Sequence, residues 1–221
     1  MLGRNSSKAV VPREAVRIDD LSMIGKRIRA TRVWLGRCVG TCFTLFDIWS
    51  ARRRQVRVLR MANLLIVYHS RTGGSRQMAE AAADAAREEA EVRLLLAETA
   101  QPQDLLAADG YVFCAPENLA ALSGVMKDFF DRCYYPVLGR IEGSAYAQMI
   151  CAGSDGENAA RQTARIATGW RLKEVQPPLI ICTHAQTPEA ILAPKMLTED
   201  QLSPCRDLGQ AMAAGLALGV F

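Results

Sequence analysis

The sequence predicts an α/β protein over residues 61–221: a doubly wound, five-stranded parallel sheet in the order 2-1-3-4-5, with helices on both faces. Three observations lead to this fold class. Short apolar runs of strand length alternate with longer stretches of helical periodicity. Alternation of this kind is typical of parallel strands joined by right-handed helical crossovers. Half of the 221 residues are hydrophobic and 23% are charged, which is enough apolar material for a buried core.

The five strands are predicted from mostly apolar runs, because a strand covered by helices on both faces shows no strict polar alternation. The first run, residues 64–68, reads Leu-Leu-Ile-Val-Tyr without interruption. The others lie at residues 92–96, 111–114, 146–151 and 179–182. The residues on either side of each run do not continue its apolar pattern, so each run has the length of a single buried strand.

Helices are predicted where apolar residues recur at a spacing of three or four. Phe129 and Phe130, for example, share one face with neighbours a turn away. The helical stretches are residues 75–89, 124–133, 157–168 and 205–218, with a short helical turn at 102–107. They fall between the strands, as the crossovers of a parallel sheet require.

The charge of the chain changes sign near residue 60. Residues 1–60 contain 14 Lys and Arg against 4 Asp and Glu, whereas residues 61–221 contain 13 against 19. Met61 stands at this change and begins the first strand pattern. We therefore expect residues 1–60 to be a basic, poorly ordered extension and residues 61–221 to be the folded domain.

The basic extension leaves two functional alternatives open. Clustered arginines, such as Arg52, Arg53 and Arg54, bind phosphates by releasing counterions, which is typical of an arm that contacts nucleic acid or an acidic membrane. No interleaved aromatic residues support base stacking, so neither contact is the preferred interpretation. An Arg-rich leader is also typical of targeting peptides, although the acids within residues 14–20 do not fit one.

Composition excludes several classes of protein. No uncharged apolar run approaches the roughly 18 residues needed to cross a bilayer, which excludes an integral membrane protein. Seven cysteines without a CxxC pair indicate a reducing compartment, and we expect a cytoplasmic protein. Cys38 and Cys42 alone supply too few ligands for a metal, so no metal site is predicted.

The most informative segment follows the first strand directly and reads Ser70-Arg71-Thr72-Gly73-Gly74-Ser75. Two glycines allow a tight turn and a close approach of the backbone to a ligand. Amides at the start of the following helix favour an anion, and the hydroxyls add neutral donors around the same point. This loop predicts a site for a terminal phosphate monoester. An ordinary strand-to-helix turn, with Ser75 as the N-cap, is the simpler alternative.

Other phosphate-binding motifs are absent. The chain lacks both the nucleoside triphosphate loop GxxxxGK[ST] and the dinucleotide pattern GxGxxG at this point. In the predicted strand order, ligands bind beyond the carboxyl ends of the strands, where the winding reverses. Three loops meet there: residues 70–75, 116–122 and 152–157.

These residues carry a resemblance to a known family. Ser70-x-Thr72-Gly73-x-Ser75 resembles the [ST]-x-T-G-x-[ST] phosphate loop of the flavodoxin-like family, which binds FMN. Ala115-Pro116-Glu117-Asn118, followed by Ser123-Gly124 and a helix, resembles the loop and helix of flavodoxin-like NAD(P)H-dependent FMN and quinone reductases. The resemblance extends over roughly residues 63–221 and implies a flavodoxin-like fold.

The resemblance also implies which residues hold FMN. Those around its phosphate would be Ser70, Arg71, Thr72, Gly73, Gly74 and Ser75. Those lining its isoalloxazine ring would be Pro116, Glu117, Asn118, Leu119, Ala152, Gly153, Ser154, Asp155 and Gly156. Leu119 or Ala120 replaces the usual aromatic residue of the reductases. No catalytic residue is implied, because the cofactor carries the chemistry.

Three functions follow from the resemblance. The preferred one is an oxidoreductase with NAD(P)H as electron donor and a quinone, flavin or similar small molecule as acceptor. The alternative is a flavodoxin-type electron-transfer protein that docks with a redox partner protein, and a further one is a non-enzymatic flavin-binding regulatory module. The family also implies a homo-oligomer.

Some residues near the three loops have two interpretations. We hypothesise that the negative charge of Asp155 lowers the potential of the flavin, whereas a plain turn at Asp155-Gly156 is the simpler alternative. Cys114, Cys151 and Cys182 end predicted strands and are interpreted as buried small hydrophobes.

Overall fold

The structure is a computed structural model that describes residues 61–221. The predicted basic extension, with its arginine cluster and the Cys38 and Cys42 pair, lies outside the described residues and stays a prediction. The strands of the described part are β1 (Ala62–Tyr68), β2 (Ala90–Leu96), β3 (Gly110–Asn118), β4 (Ala121–Leu122), β5 (Ala145–Ala152), β6 (Lys173–Glu174) and β7 (Leu179–Cys182).

The strands pair into a parallel sheet with β1 between β2 and β3, and with β5 beside β3. At the far edge, β6 pairs with the start of β5 and β7 with its end. The predicted order 2-1-3-4-5 is confirmed, because β6 and β7 together occupy the place of the fifth strand. The short antiparallel strand β4 pairs with the end of β3 and was not predicted.

Helices cover both faces of the sheet. They are α1 (Gly74–Ala86), α2 (Pro102–Leu106), α3 (Gly124–Val137), α4 (Glu157–Gly169), α5 (Pro188–Leu192) and α6 (Glu199–Leu218). The apolar sides of α1 and α6 pack on one face, and those of α2, α3 and α4 pack on the other. Within residues 61–221, no helix combines the length and apolarity of a membrane span.

Buried aromatic residues concentrate on the face covered by α3 and α4. Phe113 of β3 lies edge-on to Phe130 of α3, with ring centroids 5.0 Å apart, and Trp170 packs on both. Tyr134 stacks on Trp170 with centroids 5.8 Å apart. Aromatic pairs of this kind add free energy beyond the area they bury. The large aromatic residues therefore stabilise this core rather than surround the carboxyl ends of the strands.

Helices α3 and α6 depart most from their predicted bounds. The last helix was predicted to begin at residue 205, after Pro204, but α6 begins at Glu199 and contains that proline. Its start is stabilised by a capping box, in which the side chains of Thr198 and Gln201 each bond to the backbone of the other. Helix α3 was predicted to end near residue 133, but it continues to Val137 with Pro136 in its last turn.

Candidate functional site

A cavity of about 530 Å³ lies at the carboxyl ends of the strands, where the connections reverse direction between β1 and β3. Its volume is typical of a small-molecule site. Four segments form its walls: the loop after β1, the β3–β4 hairpin, the loop after β5 and the segment after β7. The sequence-predicted residues that line it are Ser70, Arg71, Thr72, Gly74, Ser75, Pro116, Glu117, Asn118, Leu119, Ala152, Gly153 and Ser154.

The loop after β1, residues 70–75, passes directly into α1. Gly73 has φ of 94°, a left-handed conformation that glycine adopts at little cost, and its N–H donates to Ser70 Oγ at 3.1 Å. Ser75 is only 1% exposed, and its Oγ has no full hydrogen-bond partner within residues 61–221, with only the Cys151 thiol beside it. A buried hydroxyl without a partner costs free energy, which points to a ligand that completes its bonding.

Gly74 lies where the start of α1 meets β5. A Cβ at this position would lie 2.5 Å from Cys151 Sγ, whereas the next nearest atoms are 3.7 and 3.8 Å away. The backbone of the loop can approach the sheet this closely only because residue 74 has no side chain.

We expect Gly74→Ala to lower the free energy of unfolding by about 1–3 kcal/mol, because the added methyl group overlaps the Cys151 sulfur. Removing that sulfur in Gly74→Ala/Cys151→Ala relieves the overlap, so the double variant is more stable than the sum of the two single changes predicts. Urea unfolding of the four proteins measures this coupling. Strict additivity would show that the contact does not constrain the loop.

The β3–β4 hairpin forms the second wall. Its two-residue turn places Leu119 and Ala120 at φ of 52° and 56°, the left-handed region that both central residues of a type I′ turn occupy. Such a conformation is unfavourable for residues with side chains. Helix α4 holds the turn in place, because Asn158 Nδ2 donates to Ala120 O and Gln162 Oε1 accepts from Leu122 N at 2.8 Å.

Glu117 joins this hairpin to the loop after β5. Its Oε2 accepts a hydrogen bond from Gly156 N at 2.9 Å, whereas its Oε1 is buried and has no partner among residues 61–221. Gly156 has φ of 87°, and a Cβ there would lie 2.6 Å from Ile180 Cγ2. The carboxylate of Glu117 therefore links two walls, and one of its oxygens has no hydrogen-bond partner among the described residues.

Three predicted residues are placed elsewhere. Asp155 and Gly156 do not line the cavity; Asp155 Oδ1 accepts from Glu157 N at 3.3 Å, at the start of α4. Gly73 lines an adjoining depression of about 280 Å³, which shares Ser70, Arg71 and Thr72 with the cavity and also contains Arg76. The guanidinium groups of Arg71 and Arg76 favour an anion at this end of the cavity.

The segment after β7, residues 183–195, forms the fourth wall, and we call it the strap. The sequence analysis did not place it at the site. The cavity-lining residues that were missed are Thr183, Ala185, Gln186, Ile191, Leu192 and Lys195 of the strap, with Ala120 and Cys151. The sequence signal that could have found a helix in the strap is Thr187-Pro188, a typical helix start shortly after β7.

Burial governs the titratable groups beneath the cavity. Desolvation raises the pKa of Cys151 to about 11 and holds the pKa of Cys114 well above its usual value, so both thiols are protonated at neutral pH. Desolvation lowers the pKa of His69, whose Nδ1 lies 2.9 Å from Ser123 Oγ. Within residues 61–221, no group of three or more His, Cys, Asp or Glu is arranged to hold a metal ion.

The fold and the cavity define a class: a doubly wound α/β protein with a small-molecule site at the point where the winding reverses. A flavodoxin from Aquifex aeolicus is 31% identical to the chain over 170 residues, which cover 72% of the chain and 90% of that protein. The chain therefore belongs to the flavodoxin family, which confirms the family resemblance.

Other comparisons agree with this assignment. An NAD(P)H dehydrogenase (quinone) from Acidithiobacillus ferrooxidans is 32% identical over 94 residues, which cover 33% of the chain and 47% of that protein. A flavodoxin from the domain Archaea shares the fold with a TM-score of 0.58 at 18% identity, over 70% of this chain and 98% of that one. A WrbA-like flavodoxin from Agrobacterium tumefaciens does so with 0.53 at 22% identity, over 72% and 98%. No protein-family model matches the chain.

Proposed function

We propose that the cavity binds FMN, with the phosphate at residues 70–75. The donor set fits a phosphate monoester: backbone amides at the start of α1, the hydroxyls of Thr72 and Ser75, and the guanidinium of Arg71 nearby. The buried Ser75 Oγ, which has only the Cys151 thiol beside it, is the observation that most directly supports a ligand at this point. Gly73 allows the left-handed backbone conformation of the loop, and Gly74 allows the loop to pack closely against Cys151.

We place the isoalloxazine ring between the β3–β4 hairpin and the loop after β5. Pro116, Asn118 and Leu119 form one side of this slot, and Ala152, Gly153 and Ser154 form the other. Glu117 Oε1 can accept a hydrogen bond from an N–H group of the ring, because no described side chain or amide uses it. Asp155 and Gly156 support the slot from behind, by starting α4 and by holding Glu117.

We propose further that the protein is an NAD(P)H-dependent oxidoreductase whose acceptor is a quinone, a flavin or a similar small molecule. Among residues 61–221, none of the side chains that line the cavity is aromatic. This observation carries the proposal. A stacked aromatic ring would cover the face of a flavin. Without one, a face of the bound flavin stays open to a second planar molecule.

In this proposal, the protein's own residues bind and orient FMN and exclude water from the cavity. When bound, FMN supplies the two-electron redox chemistry. The walls contribute an apolar surface, from Leu119, Ile191 and Leu192, and few charged groups. The high pKa of the Cys151 thiol, at about 11, gives it no role in proton transfer at neutral pH.

Anaerobic stopped-flow absorbance tests the activity. The full chain, loaded with FMN, is mixed separately with NADPH and with NADH, and the visible flavin band is followed. Rapid bleaching by either nucleotide, faster than bleaching of free FMN, supports the oxidoreductase. A band that persists with both nucleotides, but is lost when a partner reductase is added, contradicts it.

The second candidate is a flavodoxin-type electron-transfer protein without its own substrate. The observation in its favour is the Aquifex aeolicus relative, which is named flavodoxin and aligns over 90% of its length. The same stopped-flow experiment separates the two functions, because a carrier takes electrons from a protein rather than from a nicotinamide.

A further inference from the structure

Hydrogen bonds of Lys195 and Gln77 attach the strap to the loop at residues 70–75. Lys195 N donates to Thr72 O at 2.7 Å. Gln77, in the first turn of α1, donates from Nε2 to Gly73 O at 3.0 Å and to Lys195 O at 2.7 Å. Its Oε1 accepts from Leu197 N at 3.1 Å. The Gln77 amide thus connects the end of the strap to the loop.

These bonds hold the carbonyl side of the loop, and this determines where its amides point. In a trans peptide the C=O and the following N–H point in opposite directions. The Gln77 side chain and the Gln77 backbone N–H both donate to the Gly73 carbonyl, so the N–H of Gly74, which lines the cavity, is directed away from the strap. Lys195 holds the Thr72 carbonyl in the same way, and the following Gly73 N–H reaches Ser70 Oγ.

We propose that Gln77 is a positioning residue that couples the strap to phosphate binding. This inference rests on the proposed FMN site. An anion that accepts a hydrogen bond from the Gly74 N–H polarises that peptide group, and the Gly73 carbonyl then becomes a better acceptor for the Gln77 side chain, which also donates to Lys195 O. A phosphate at residues 70–75 therefore strengthens the attachment of the strap. By reciprocity, an attached strap increases the affinity for the phosphate.

The strap can transmit this effect to the rest of the cavity. Lys195 Nζ donates to the carbonyls of Ala190, Ile191 and Ala193. These bonds hold the end of α5 against Lys195, whose backbone N–H contacts the loop at residues 70–75. Ile191, Gln186 and Ala185 extend from there along the cavity wall. Attachment at Lys195 thus links the loop at residues 70–75 to the wall that faces the bound molecule, so binding of the phosphate stabilises the position of that wall.

Hydrogen exchange on the full chain tests the coupling. The ligands are FMN and riboflavin, which share the ring and differ by the phosphate, each at saturating concentration. We expect the amides of the strap to exchange about tenfold more slowly with FMN than with riboflavin. Equal protection of the strap by the two ligands would overturn the inference and leave the FMN site intact. Failure of both ligands to bind would overturn the proposed function and this inference together.

A pair of glutamine variants shows whether Gln77 carries the coupling. Gln77→Met keeps the length of the side chain and removes the hydrogen bonds of its amide group. We expect FMN to bind about tenfold more weakly and riboflavin to bind with unchanged affinity. We also expect the extra protection of the strap by FMN to be lost. Gln162→Met is the matched control, because it removes a bond that braces the hairpin instead. We expect it to weaken both ligands by the same factor and to keep the FMN-specific protection. If Gln77→Met behaves like Gln162→Met, Gln77 has only a structural role and the inference is wrong.

Discussion

The double variant Thr72→Val/Ser75→Ala binds FMN about a hundredfold more weakly than the natural sequence does. Each hydroxyl donates to a doubly charged phosphate in the proposed complex, and a hydrogen bond to a charged group contributes about 1.5–3 kcal/mol. Two such bonds account for a factor of about a hundred or more. Ser75→Ala removes a buried hydroxyl that lacks a full partner, so the free protein does not lose stability. Titration of the full chain with FMN, followed by flavin fluorescence, measures the affinity.

Riboflavin is the ligand control for this variant, because it lacks the phosphate. We expect its affinity to change by less than about twofold. Thermal unfolding without ligand is the second control and shows whether the variant is folded. An equal loss of affinity for FMN and riboflavin, in a protein of unchanged stability, would contradict the placement of the phosphate at residues 70–75.

The variant Glu117→Gln raises the two-electron midpoint potential of bound FMN by about 30–60 mV. Glutamine keeps the shape of the side chain and an oxygen that accepts from Gly156 N, but it removes the negative charge at the wall of the cavity and puts an NH2 group in the place of Oε1. That charge opposes the negative charge that develops on the ring during reduction. At an effective dielectric constant of about 20 and a separation of several ångströms, the interaction contributes roughly 1.5–3 kcal/mol. Redox titration with a reference dye measures the potential.

Asp155→Asn is the matched control, because it makes the same chemical change in the neighbouring loop. Asp155 does not line the cavity, and its Oδ1 accepts from Glu157 N at the start of α4. We expect a smaller rise in potential than Glu117→Gln produces. A larger rise with Asp155→Asn would assign the effect to the residue that the sequence analysis hypothesised and would contradict the role given to Glu117.

The sheet could be predicted from the sequence because its signals are local. The run at residues 64–68 is long enough to define β1, and the four other apolar runs each correspond to a strand of the structure. The strands β4 and β6 were missed, because two residues give no periodicity. The start of α6 was missed because Pro204 suggests a break, whereas the capping contacts of Thr198 and Gln201 compensate for it.

The candidate site was predicted where its residues lie next to one another in the chain. The loop at residues 70–75 and the β3–β4 hairpin carry motifs that can be recognised in a single sequence. The strap carries only the helix start at Thr187-Pro188, which does not place it at the site, because its attachment uses the backbone of Lys195 and a glutamine that is 118 residues away. The bond between Glu117 and Gly156 likewise depends on two loops that meet only in the folded chain.

Ligand binding by the unmodified full chain shows whether the cavity holds FMN through its phosphate. The protein is freed of any bound flavin, incubated separately with excess FMN and excess riboflavin, and desalted. We expect a yellow protein that retains FMN in a 1:1 ratio and retains much less riboflavin, because the loop at residues 70–75 supplies a large share of the binding free energy. A protein that is colourless after both incubations, or that retains the two flavins equally, would contradict this expectation.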